Sequence, residues 1–112
     1  KIGSFIGDHT KTGLGALLNT GSTIGAFVNV LPAGNFSPQV IPSFCQLQYG
    51  QLHELWDLRK TFQTASRVMQ RRGMRLTEAH QDFYYALFDA TAELRRKTFR
   101  DTEIRRMRRS GV

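Results

Sequence analysis

Cysteine is almost missing from this 112-residue chain, where Cys45 stands alone. A single thiol excludes an internal disulfide and fits a reducing, cytoplasmic setting. Cys45 itself reads as a small, semi-buried apolar residue rather than a reactive thiol. Long apolar runs are missing too. None approaches the ~20 residues that a membrane-spanning helix needs, so membrane insertion is not expected. The apolar start from Ile2 to Ile6 is too short and too rich in glycine for a secretory signal. No phosphate-binding P-loop, dinucleotide glycine motif, zinc-ligand set or nucleophile triad occurs in the chain.

Charge is scarce over the first half, where residues 1–50 hold only Lys1, Lys11 and Asp8. The formal net charge of +7 comes mostly from the far end, where residues 92–112 carry eight basic side chains against three acidic. Such a tail can attract nucleic acid or anionic lipid. A solvated helix face with a frayed end is the preferred reading, and nucleic acid is not expected as a partner.

What the first half does contain is a six-residue repeat. In sixes from Ile6, the blocks run IGDHTK, TGLGAL, LNTGST, IGAFVN and VLPAGN. Position one holds Ile6, Thr12, Leu18, Ile24 and Val30, and position five holds nothing larger than valine: Thr10, Ala16, Ser22, Val28 and Gly34. Position two is glycine or asparagine in four of five blocks (Gly7, Gly13, Asn19, Gly25), which suits unusual backbone dihedrals. One hexad makes a short strand and a corner, three hexads make a coil, and coils stack at the ~4.8 Å spacing of parallel strands. A helix would need apolar residues three and four apart and would suffer from these glycines.

The expected fold is therefore a left-handed parallel β-helix, its hand taken from hexapeptide-repeat proteins, followed by a C-terminal pair of α-helices. Ile6, Leu18, Ile24 and Val30 should share one inward column. The repeat is under two coils long and runs straight into Lys1, so the chain reads as a fragment of a longer one. Three regions are expected: coils over 1–35, an extended capping segment over 36–56, and helices with a basic tail over 57–112. Pro32, Pro38 and Pro42 break the repeat. Asp57 and Thr77 are candidate N-caps for helices near 57–72 and 77–98. Their apolar stripes are Leu58, Phe62, Ala65 and Met69, then Phe83, Leu87, Ala90 and Leu94, with Ile104 and Met107 able to extend the second. Leu17 and Phe27 fall at outward or corner places and should be covered by the helices or by another subunit.

The run from Ile6 to Gly34, the IPSF of Ile41 to Phe44 and the ASRVMQRRG of Ala65 to Gly73 resemble the C-terminal region of bacterial sugar-phosphate nucleotidyltransferases. These are similar to the bifunctional N-acetylglucosamine-1-phosphate uridylyltransferase/glucosamine-1-phosphate acetyltransferase. The resemblance implies a homotrimer, with acetyl-CoA as co-substrate and an amino-sugar phosphate as acceptor. Mg2+ would serve only a nucleotidyltransferase domain outside this sequence. It also implies a histidine general base between neighbouring subunits. His9, the one histidine in the repeat, takes that place, at an outward corner; Lys11 is the candidate phosphate ligand. Asn19 and Thr20 are candidate substrate contacts, although Asn19 also suits a corner; His53 and His80 read as surface residues. The tyrosine that follows the family's histidine by three positions is Thr12 here. The alternative is a non-catalytic scaffold that trimerises an upstream nucleotidyltransferase domain.

Overall fold

A computed structural model describes residues 3–55 and 57–110, with side chains through residue 108. Lys1 and Ile2, and the side chain of Arg109, lie outside the described residues. Four two-residue strands come first: β1 (Phe5–Ile6), β2 (Lys11–Thr12), β3 (Thr23–Ile24) and β4 (Asn29–Val30). Then follow β5 (Val40–Ile41), β6 (Cys45–Gln48) and β7 (Gln51–Glu54). Three helices complete the chain: α1 (Leu58–Gln70), α2 (Glu78–Ala90) and α3 (Ala92–Ser110).

The β-helix expectation is corrected here. The strands gather into two separate sheets, β1-β3-β5 and β2-β4-β6-β7, and no closed solenoid forms. The first sheet is wholly parallel, but β6 and β7 form an antiparallel hairpin, so the second is mixed. A third side is reduced to one isolated parallel bridge, Leu17↔Phe36. The molecule is a small α/β domain. The physical reason lies in spacing. Lys11 pairs with Asn29, three hexads on, but Leu17 bridges to a residue 19 further and Thr23 to one 17 further (Val40). Unequal connections after Val30 break the frame, and four-residue strands then permit a hairpin that two-residue strands do not.

Position-one side chains still face the core where another level covers them. Ile24 and Val30 are buried with Val28, Ile41, Cys45 and Leu47, and Leu18 packs against this cluster. Ile6 departs from the expected column: it is 50% exposed, because β1 is an edge. Cys45 is fully buried, and burial pushes its thiol up to about 12, so it acts as apolar filling.

The helices cover one flank. In α1, Asp57 caps by accepting from the Lys60 amide at 3.2 Å, and Phe62 and Ala65 are buried. The second expected helix is two. It breaks at Thr91, whose hydroxyl donates to the Leu87 carbonyl, and α3 begins at Ala92. Its expected stripe holds only at Leu87, which packs against the aromatic cluster. Phe83 and Leu94 are exposed, whereas Tyr84 and Arg95 are buried. An apolarity pattern cannot see this face, since its two ends are a phenol and a guanidinium. The expected extension through Ile104 and Met107 fails likewise, both being exposed. No helix among the described residues is long and apolar enough to cross a membrane.

Candidate functional site

His9 sits in a tight turn with φ 58°, a left-handed conformation that histidine tolerates better than most residues. The turn presents its ring to the helices. The imidazole stacks on Phe27 at 4.9 Å between centroids, and Phe27 stacks in turn on Phe44 at 5.0 Å. Tyr84 of α2 meets the histidine edge-on, its Oη 3.3 Å from Nε2; which atom donates follows the tautomer. His9 is thus a turn residue whose ring lies on the helix side of the strands, away from the inner cluster, as a half-buried member of an aromatic column. Burial drives its pKa below the ordinary 6.5; Asp8 opposes this, while Lys11 and His80 add to it. Burial likewise pushes the Tyr84 phenol up, keeping the hydroxyl protonated.

Beside His9 opens a cleft of about 510 Å³. One wall is β-structure, with Lys11 of β2, Asn29 of β4 and Glu54 of β7. The other is the start of α1, where Asp57, Lys60 and Thr61 face the same space. The cleft therefore holds a neutral-leaning imidazole, two amines, two carboxylates and an amide. Such a set can take a proton at one atom while pairing charges of both signs nearby.

Of the four sequence candidates, His9 and Lys11 are brought together here. Asn19 and Thr20 do not line this cleft. Asn19 Nδ2 donates to the Ser37 carbonyl at 2.6 Å and the Thr20 carbonyl accepts from Gln39, both holding neighbouring chain segments in place. Tyr84, Glu54, Asp57 and Lys60 were not visible as site residues. Each comes from the helices or the hairpin, and nothing in a local motif ties residues 54–84 to residue 9. A phenol, that of Tyr84, reaches His9 from α2. His53 is exposed as expected, but His80 caps α2, accepting from the Thr77 amide through Nδ1.

A second, shallow hollow of about 680 Å³ lies along α3 between Glu93, Arg96 and Arg100. It is lined by one carboxylate, Glu93, among cationic and apolar side chains, and holds no histidine. Among the described residues no cluster of histidine, cysteine, aspartate or glutamate is placed to hold a metal ion. No family model matches the chain, and no curated protein or solved structure matches it.

Proposed function

We propose that the chain is the acyl-transfer region of a cytoplasmic bacterial sugar-phosphate enzyme, moving acetyl from acetyl-CoA to an amino-sugar phosphate such as glucosamine-1-phosphate. The observation that carries this reading is His9: an imidazole held neutral by burial and oriented by Tyr84 on the wall of a cleft shared with Lys11 and Lys60. On this reading His9 keeps its proton on Nε2 and donates it to the Tyr84 oxygen. Nδ1 then takes one proton from the sugar ammonium, and the freed amine attacks the thioester carbonyl. The amide bond forms, the C–S bond breaks, and the second nitrogen proton goes to the departing sulfur, so that coenzyme A leaves as thiol. Lys11 and Lys60 are the phosphate partners, because the Asp57 side chain already occupies the first turn of α1.

The test starts from the backbone. Alanine and asparagine at position 9 would both lose the ring stack, but alanine would also sit badly at φ 58°, so His9→Asn, which suits left-handed turns, is the informative variant. Acetyl transfer to glucosamine-1-phosphate should fall on the order of 10²–10⁴-fold in turnover, while a cooperative melting curve, lowered by the lost ring stack, shows that the variant still folds. In the unmodified chain the rate should rise with pH through the histidine titration and level off. Its midpoint should lie below 6.5, since burial lowers the pKa and only the neutral ring accepts a proton. The scaffold alternative draws on the same ring, which is packed like an ordinary core residue. Absence of transfer with any amino-sugar phosphate would favour it.

A further inference from the structure

The one fully buried charged side chain among those described, Arg95, points at the cleft from behind. Arg95 is 1% exposed, and its guanidinium is used up inside the protein. Nη2 donates to the Phe88 carbonyl at 2.7 Å, Nη1 to the Ser43 carbonyl at 3.3 Å and to the Thr91 hydroxyl, and the group lies 4.1 Å from the Phe88 ring centroid. Nε alone reaches outward and donates to Glu54 Oε2 at 2.7 Å. The Glu54 side chain is 40% exposed and lines the cleft. Arg95 thus holds one carboxylate oxygen of a group whose remainder faces the open space.

This arrangement is asymmetric for an ion pair with a purely internal purpose. A carboxylate that only neutralised Arg95 would be expected inside with it, hydrogen-bonded on both oxygens. Instead the buried member fixes the exposed one, and a carboxylate fixed in advance loses little freedom when it binds. The other cleft carboxylate, Asp57, is committed to the α1 cap. Against Lys11 and Lys60, Glu54 gives the cleft a separate negative point. A ligand with phosphate alone would meet an unpaired anion there. One carrying phosphate and ammonium would be paired at both ends.

We infer that Glu54, held by Arg95, is an ammonium-recognising subsite, selecting an amino-sugar phosphate over the same sugar phosphate with a hydroxyl in place of the amine. This rests on the amino-sugar phosphate reading of the cleft. A hydrogen-bonded charge pair of this kind corresponds to roughly 10–100-fold in affinity.

The experiment is calorimetric titration of the full chain with glucosamine-1-phosphate and with glucose-1-phosphate, at a pH where the amine is protonated. The unmodified chain should prefer the amine by that factor. Glu54→Gln, whose amide oxygen can still accept from Arg95, should bind both ligands alike, with glucose-1-phosphate held at least as tightly as by the unmodified chain. Should Glu54→Gln fail to fold, the double variant Glu54→Leu with Arg95→Met removes the pair together and leaves no unpaired charge; it too should lose the preference. A preference that survives in either folded variant, or is absent from the unmodified chain, overturns the subsite. If it survives while His9-dependent acetyl transfer is observed, the subsite fails and the acyl-transfer reading stands. If it disappears in the variants but acetyl-CoA is never used, the subsite stands and the transfer reading fails. Binding of neither sugar phosphate overturns both.

Discussion

Position four of the repeat adopts a left-handed backbone from Gly3 through His9, Gly15 and Gly21 to Phe27; in the last block the positive φ moves from Ala33 to Gly34, and Phe44 repeats the conformation one level on. Position two, where the sequence suggests special dihedrals, has an ordinary backbone at Gly7, Gly13 and Gly25 and is glycine for another reason. A Cβ on Gly7 would lie 2.6 Å from the Ala26 nitrogen, and one on Gly25 would lie 2.5 Å from the Ser43 nitrogen. The two demands look identical in sequence, since both are met by glycine. They separate only once the neighbouring level is in place. Gly25→Ala should cost about 1–3 kcal/mol, because the clash is with backbone that cannot step aside; the shift in urea midpoint at constant slope measures it. An unchanged midpoint would mean that the levels are spaced more loosely than described. His9 was legible as a candidate because it is the repeat's lone imidazole. Its partners were not, because phenylalanine at a left-handed position carries no sequence signature.

At the scale of elements, helix positions follow from caps and helix faces do not. Asp57 and Thr77 cap as their sequences suggest, and α1 buries its expected stripe through Phe62 and Ala65. In α2 and α3 the buried face runs through Tyr84, Phe88, Thr91 and Arg95, joined by hydrogen bonds that hydropathy counts as unfavourable. Arg95 connects α3 to the Ser43 carbonyl beside β6 and to Glu54 on β7, and so fastens two helices to the sheet through one side chain. Arg95→Ala should destabilise by about 2–4 kcal/mol, from two carbonyls left dry and the lost stem packing. Half-exposed Glu54 adds little to that figure, since water can solvate it. Chemical unfolding followed by far-ultraviolet circular dichroism gives the value, and a loss under 1 kcal/mol would show that the helices dock without this contact.

Over the whole molecule, the repeat foretold the parallel pairing of β1 with β3 and of β2 with β4 but not the closure of the fold. Closure depends on the lengths of the connections around Pro32 and Pro38 and on the β6–β7 hairpin, and neither follows a period. The two apolar residues singled out for burial divide. Phe27 lies under the helices, against Phe62 and Tyr84. Leu17 stays 43% exposed beside its bridge partner Phe36, itself 65% exposed. Phe5, Leu14 and Val40 are exposed as well. In the homotrimer that the resemblance implies, neighbouring copies would cover these side chains. Sedimentation equilibrium should give three chains, and Phe36→Glu should shift the population towards one chain by placing a charge in the contact. A monomeric unmodified chain would remove trimerisation from the reading.

The stack of His9 on Phe27, tilted by only 22°, also has a magnetic consequence. Circulating π-electrons of Phe27 shield whatever lies over the ring face, so the carbon-bound protons of His9 should resonate upfield of those of exposed His53. The three histidines of the chain can then be told apart in a proton spectrum without substitution. The protonation of His9 becomes readable in the intact protein, by the ring that packs against it.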